Sequence, residues 1–122
     1  MVATAIVVVG VGWFAVDQYR RHIDCQQRNL TFERRIKNIE RDAHEQLKIG
    51  TKRAEVTKFF TSHGIPFDIA WSEATGTLNT TGGCAPLGCG TDRALIGVRV
   101  KIDKDGTVVD EPVVVGMYVD CL

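Results

Sequence analysis

The segment that most restricts the fold is a regular alternation of apolar and polar residues near the carboxyl end of the chain. From Ile96 to Ile102 every second residue is apolar, Asp103–Gly106 carries an Asp-Gly turn, and Thr107–Val109 returns. Alternation with a period of two around an Asp-Gly turn is typical of a β-hairpin. Pro112 interrupts the returning strand, which resumes over Val113–Val119.

Two further segments extend the predicted sheet and its loops. The residue types and flanks of Phe67–Trp71 predict a short strand ahead of the hairpin, so the sheet is a three- or four-stranded antiparallel meander. The stretch Glu73–Asp92 is rich in glycine, threonine, cysteine and proline and is predicted to be a long loop. Long ordered loops in compact domains are often functional.

The middle of the chain predicts two helices in front of the sheet. Between Asp17 and Lys48 apolar residues recur mostly three, four or seven positions apart, with a break near Asn29–Thr31, where Asn or Thr could cap a new start. The residues on this face are Ile23, Leu30, Ile36, Ile39, Ala43 and Leu47.

A second helix is predicted from Lys52 to His63. Gly50 ends the helix before it, Thr51 caps it, and Gly64 with Pro66 ends it. Its buried residues are Val56, Phe59 and Phe60. The fold class is therefore α+β, with an N-terminal apolar helix and then two helices packed on the meander.

The apolar start of the chain predicts a membrane-anchoring helix. Val2–Val16 carries no charge, and as a helix it spans about 22 Å, against roughly 30 Å of hydrocarbon. Trp13 and Tyr19 lie where the helix would leave the lipid. We expect residues 1–19 to be an anchor or uncleaved signal-type helix and residues 20–122 a small α+β domain. The anchor residues are Val7, Val8, Val9, Trp13, Phe14 and Tyr19. The alternatives are a cleaved signal peptide, which lacks a good cleavage site, and a buried core helix.

The signals for orientation disagree. Arg20, Arg21 and Arg28 follow the apolar run and favour a domain on the cytoplasmic face of the inner membrane. An even number of cysteines in a small domain favours an oxidising compartment. We expect the domain to lie in the periplasm, with the cytoplasmic face as the alternative.

The four cysteines are expected to form two disulfides. Gly82–Gly90 permits a tight reversal, which favours a bond between Cys84 and Cys89 and leaves Cys25 with Cys121. Four reduced thiols remain an alternative. Zinc fits the C-x4-C spacing poorly, and a redox centre normally uses C-x-x-C.

Composition and motifs exclude several functions. The chain holds 15 Lys and Arg against 15 Asp and Glu, a balance that argues against nucleic-acid binding. His22, His44 and His63 have no evident catalytic partner, and no metal or cofactor motif is complete. We expect a protein without catalytic activity, metal or cofactor.

The stretch Leu47–Phe60 followed by Gly64-Ile65-Pro66 resembles the repeat unit of the small bacterial outer-membrane-assembly lipoproteins and the β-lactamase-inhibitor-protein-like fold. The resemblance rests on a glycine, a capping threonine, an acidic residue, a valine and the later Gly-x-Pro. No lipobox cysteine is present. The resemblance implies a scaffold that binds other proteins.

The expected function is a membrane-anchored, extracytoplasmic protein-binding module. A solvent-facing apolar patch at Leu87 and on the uncovered face of the sheet would favour this function. The alternative is a thiol-based redox enzyme or sensor using Cys84 and Cys89. The candidate binding residues lie in and beside the glycine-rich loop: Thr80, Thr81, Pro86, Leu87 and Arg93.

Overall fold

The computed structural model describes residues 2–86, 89 and 91–121, and within them two helices and four strands. The elements are α1 (Val2–Gln46), α2 (Arg53–Ser62), β1 (Phe67–Ile69), β2 (Glu73–Thr81), β3 (Arg93–Lys101) and β4 (Val113–Tyr118). All strands are antiparallel, in the order β1-β2-β3-β4. The predicted α+β class and antiparallel meander are confirmed, with four strands.

One continuous helix replaces the predicted apolar helix and the broken helix after it. The break expected at Asn29–Thr31 was wrong, because both polar side chains bond within α1 instead of capping a new helix. Thr31 Oγ1 donates to the carbonyl of Gln27 at 3.1 Å, and Asn29 Nδ2 donates to Glu33 Oε1 at 3.4 Å. A hydroxyl that bonds back to the carbonyl four residues earlier is compatible with a continuing helix.

The membrane anchor predicted at the start of α1 was wrong. No helix in the part of the chain that the structure describes is long and apolar enough to cross a membrane. The apolar stretch ends at Val16, and Asp17, Arg20 and Arg21 then bring charge into the helix. The alternative of a buried core helix fails as well, because these side chains are exposed. Exposure lies between 58% and 74% for the predicted anchor residues Val7, Val8, Val9, Trp13, Phe14 and Tyr19.

The second helix is confirmed within one residue at each end, but its cap differs. Lys52 occupies the N-cap without a side-chain hydrogen bond. Thr51, the predicted cap, instead directs its hydroxyl to the carbonyl of Gln46 at 3.4 Å. Gly64 adopts a φ of 64° beyond the helix, a conformation that favours glycine, and ends it as predicted.

A nine-residue strand stands where the sequence predicted a loop, so the long loop is shorter than expected. Glu73–Thr81 forms β2 and pairs along its whole length with β3. Its inward positions include Ala74 and Gly76, which are too small to produce a visible apolar alternation. Gly76 is needed there, since a Cβ would lie 2.5 Å from the ring of Phe60.

The Asp-Gly turn is confirmed, whereas the strand predicted after it is reduced to one bridge. Asp103 Oδ1 accepts from the amides of Asp105 at 2.9 Å and Thr107 at 3.0 Å. Gly106 has a φ of 82°. Only Val108 then pairs, with Ile102, and the chain crosses to β4 before it lies fully against β3. Trp71, the predicted end of the first strand, lies beyond β1 and is 83% exposed.

The core lies between one face of the sheet and the two helices. The carboxyl half of α1 covers β4, while α2 lies against β2 through Phe60. The apolar residues of the core are Phe32, Ile39, Ala43, Leu47, Val56, Phe59, Phe60, Ile65, Ala74, Ala94, Ile96, Val98, Val100, Ile102 and Val108. The opposite face of the sheet carries no helix, and we call it the open face.

A histidine and a carboxylate join the two helices. His63 Nε2 lies 2.9 Å from Asp42 Oδ2, and its Nδ1 lies 2.9 Å from the carbonyl oxygen of Phe59. Each ring nitrogen of His63 therefore lies within hydrogen-bond distance of an oxygen atom. The hydrogen bond from His63 holds the pKa of Asp42 below its ordinary value of 3.8.

Replacing Asp42 by Asn is expected to make stability less dependent on pH in acid. A lowered pKa stabilises the fold above the ordinary value of 3.8, and this contribution is lost as pH falls through the lowered pKa. The difference in the free energy of unfolding between wild type and Asp42→Asn should therefore be constant well above pH 3.8 and shrink as pH falls from 3.8 toward the lowered pKa. Urea titrations from pH 3 to pH 7 test this, with Asp68→Asn, on β1, as the control. A difference that does not change with pH would contradict the linkage.

Candidate functional site

The two disulfides join the glycine-rich loop to α1 and to the C-terminal segment, and neither bond lies within the loop. Cys25 is bonded to Cys84, and Cys89 to Cys121. The predicted pairs, Cys84 with Cys89 and Cys25 with Cys121, were wrong. No described cysteine is free.

The first pairing follows from the path of Gly82 and Gly83. Gly83 passes so close to Asn29 of α1 that a side chain would overlap it, and its amide donates to the Tyr118 hydroxyl at 3.0 Å. Asn29 lies one turn after Cys25 in α1, so the next loop residue, Cys84, reaches Cys25, with 4.8 Å between the two Cα atoms. Gly82 and Gly83 thus let the loop pass close to α1. They do not bring Cys84 and Cys89 together, as the sequence predicted.

The second pairing closes the other side of the loop. Cys89 forms a β-bridge with Cys121, and its amide donates to the carbonyl of Pro86 at 3.0 Å. Nearby, the hydroxyl of Thr91 donates to the carboxylate of Asp120. The loop is thus fixed to α1 at one end and to the C-terminal segment at the other.

Three of the predicted binding residues lie close together at the ends of β2 and β3. Thr80 lies on the helix side of β2, where its hydroxyl accepts from Arg35 Nη1 at 3.2 Å. Thr81 and Arg93 pair across β2 and β3 at the edge of the open face. Pro86 is exposed in the loop, and Leu87 lies outside the described residues. Thr80, Thr81 and Arg93 line a cavity of about 460 Å³ with Asn79, Ala94, Leu95 and Val119.

An apolar strip runs along the open face at β4, next to that cavity. The outward residues of β4 alternate with its inward ones, and Met117 and Val115 stand opposite Leu95 and Gly97 of β3. The exposed fractions are 53% for Val113, 42% for Val115, 49% for Met117 and 36% for Val119. We call Leu95, Val113, Val115, Met117 and Val119 the apolar strip. The outward positions of β2, by contrast, are mostly threonine and asparagine: Thr75, Thr77, Asn79 and Thr81.

The backbone of β4 is also open on the side away from β3. The amide of Val119 donates to the carbonyl of Arg93 at 2.9 Å, and bonded residues alternate along an antiparallel pair. The N–H and C=O groups of Val114, Gly116 and Tyr118 therefore point away from β3. No described strand pairs with them, because β4 is the last strand of the sheet. We call this side of β4 the free edge.

Charged residues border the apolar strip at the end where β4 begins. Arg99 Nε donates to Glu73 Oε1 at 2.6 Å, and this bond holds the pKa of Glu73 below its ordinary value. Lys101 Nζ lies 3.9 Å from Asp110 Oδ2. The charges pair with one another, so the strip is bordered by neutralised ion pairs.

The strand Val113–Val119 was predicted, but its role was not. Whether its valines face the core or the solvent depends on which face of the sheet α1 covers. Because most residues of this strand are apolar, its sequence does not show which face is buried. The signal present in the sequence is the run of four apolar residues spaced by two, Val113, Val115, Met117 and Val119.

No protein-family model matches the chain, and comparison with curated proteins and with solved structures finds no significant match. The resemblance to the outer-membrane-assembly lipoproteins and the β-lactamase-inhibitor-protein-like fold therefore stays a prediction.

Proposed function

We propose that the protein is a non-catalytic binding module of an oxidising compartment, and that it binds an extended segment of another protein along β4. The observation that carries the proposal is the coincidence of the free edge with the apolar strip. An added strand gains backbone hydrogen bonds from such an edge and side-chain contacts from the residues beside it.

The free edge of β4 lacks the features that usually prevent strand addition. Its six residues contain no charge and no proline, whereas β1 at the other edge has three residues and includes Asp68. Proteins commonly protect an edge strand by shortening it or by placing charges on it. Protection of β1 and not of β4 favours a function for the exposed strand.

The partner segment is expected to be extended, with apolar side chains at alternate positions. Those side chains would lie beside Val113, Val115 and Met117 on the open face, continuing the apolar strip by one strand. The intervening side chains would point toward the α1 side of the sheet. On that side the ends of Ile36 and Phe32 already fill the space over Gly116.

The two disulfides support an oxidising compartment such as the bacterial periplasm. Disulfides persist there and are rare in the cytoplasm, where thiols are kept reduced. The cytoplasmic alternative, based on Arg20 and Arg21, is not favoured by these bonds.

The observed cysteine pairing does not support the alternative of a redox enzyme that uses Cys84 and Cys89 as one centre. Each of these cysteines is bonded to a residue outside the loop, so they do not form one dithiol pair.

The test uses random dodecapeptides displayed on phage and selected on the immobilised full chain. Synthetic copies of the selected peptides are titrated by calorimetry against wild type, Val115→Arg and Thr77→Arg. Thr77 is the matched control because it lies in the same row of the open face, two strands away. Val115→Arg is expected to weaken binding by at least about tenfold, and Thr77→Arg by less than about twofold.

Amide exchange gives a second reading of the same complex. Bound peptide should slow the exchange of the Val114, Gly116 and Tyr118 amides by about tenfold or more, because only strand addition covers them. Equal binding to wild type and Val115→Arg would overturn the proposal, as would unchanged exchange at the free edge. Dimerisation of wild type through β4 would identify a second copy as the occupant instead.

A further inference from the structure

A group of three possible metal ligands lies at the Cys25–Cys84 disulfide, away from the open face. His22 and Cys25 are three positions apart on α1 and therefore share one side of the helix. The ligand atoms of His22, Cys25 and Cys84 all lie within 4.8 Å of one another. His22 and Cys84 are exposed and Cys25 is half-buried, so a small ion can reach all three.

We propose that reduction of the Cys25–Cys84 disulfide converts this group into a binding site for a thiophilic divalent cation such as Zn²⁺. The ligands are the two thiolate sulfurs and one ring nitrogen of His22. Two sulfurs and one imidazole form a known type of zinc site that leaves a fourth position open.

Reduction of the Cys25–Cys84 disulfide needs a reductant, and binding of the cation afterwards releases protons. Two thiols of a small-molecule dithiol donate two electrons and two protons to the disulfide, the bond between Cys25 Sγ and Cys84 Sγ breaks, and the dithiol becomes a disulfide. The cation then binds the two thiolates and displaces their protons to solvent. While the disulfide is closed, its sulfurs carry no thiolate charge, so the site exists only in the reduced protein.

The surrounding structure holds the two cysteines near each other without the bond. Cys25 is fixed by α1, and Cys84 follows Gly83, which is packed against Asn29 and hydrogen-bonded to Tyr118. An ion pair of 3.1 Å between Arg28 and Asp92 joins α1 to the end of the same loop. With Zn–S distances near 2.3 Å, the sulfurs need to separate only to about 3.7 Å, which side-chain rotation can supply.

The fourth position opens into a polar cavity. The ligands lie on the wall of a space of about 520 Å³ that is also lined by two carboxylates, Asp24 and Asp92, and by two arginines, Arg21 and Arg28. Arg28 pairs with Asp92, which leaves Asp24 as the carboxylate without an ion pair among the described residues. A carboxylate or a water molecule can complete four-coordination there.

The experiment titrates Co²⁺, a spectroscopic substitute for Zn²⁺, into the full chain before and after reduction with a dithiol that is then removed. The reduced wild type is expected to bind one equivalent, with a thiolate-to-cobalt charge-transfer band and the visible bands of four-coordinate cobalt. The oxidised protein should show neither. His22→Ala should weaken binding by about tenfold or more. The matched control is His44→Ala, which removes an exposed histidine nearer the carboxyl end of the same helix.

Cysteine variants assign the site. Cys89→Ser with Cys121→Ser should leave the spectrum unchanged, and Cys25→Ser with Cys84→Ser should abolish it. Circular dichroism checks that the reduced chain keeps its helix. The proposal is overturned by a reduced wild type without a charge-transfer band, by binding that His22→Ala leaves unchanged, or by a reduced chain that has lost α1. None of these results depends on binding at β4.

Discussion

Replacing Cys25 and Cys84 by serine is expected to lower the free energy of unfolding by about 4 kcal/mol, given the 59 residues that separate the two cysteines. On the chain-entropy model a cross-link stabilises by restricting the unfolded chain, and the effect grows with the length of the loop it closes. Urea denaturation of the oxidised protein and of the double variant measures the difference.

The single variant Cys25→Ser tests the pairing itself. Cys84 should become the free thiol, and alkylation followed by peptide mass spectrometry should find the label there. Label on Cys121 would instead support the pairing that the local glycine reversal favours. The variant Cys89→Ser with Cys121→Ser serves as the comparison, with a separation of 32 residues and a loss of similar size.

Phe60→Ala is expected to lower the free energy of unfolding by about 3 to 5 kcal/mol, the range for removing a large aromatic side chain from a core. Phe60 is fully buried between α2 and β2. Its ring packs edge-on against Phe59 at 5.5 Å and stacks on Phe67 at 5.0 Å between centroids. A cavity at this position removes contacts to both rings and to the backbone at Gly76.

Phe67→Ala is the matched control because Phe67 is the stacking partner but is 37% exposed. It should cost about half as much, since only part of its surface is withdrawn from water. Equal losses for Phe60→Ala and Phe67→Ala would mean that the core does not centre on Phe60.

Local signals were sufficient where one residue type determines the backbone. The turn at Asp103–Gly106 requires a carboxylate that accepts nearby amides and a glycine with positive φ, and both are visible in the chain. The alternation of β3 was equally visible, because its inward positions are large enough to produce a period of two. The second helix was found from its apolar spacing and from Gly64.

Features that depend on distant packing could not be predicted in the same way. The strand β2 was missed because its first two inward residues, Ala74 and Gly76, are small. At Gly76 the reason is the ring of Phe60 from α2, which a Cβ would overlap. The sequence predicted a break in α1 because Asn and Thr residues often cap helices. In the structure Asn29 and Thr31 bond within the helix instead. The disulfides were mispaired because Cys84 is positioned by Asn29 and Tyr118, which are far away in the chain.

The candidate binding surface shows the same division. The uncovered face of the sheet was expected to matter, and Thr81 and Arg93 do border it. The apolar strip on β4 could not be chosen beforehand, since the chain does not say which face of Val113–Tyr118 the helices cover.

The Cys25–Cys84 bond also fixes the direction in which the first part of α1 projects. Residues 6–22 are exposed, and the bond clamps the helix about where it leaves the body of the protein. At about 1.5 Å of helix per residue, Trp13 lies some 18 Å from Cys25 along the projecting part of α1. Opening the disulfide would therefore do more than free two thiols. A small change in the tilt of α1 at Cys25 would move Trp13 by a much larger distance.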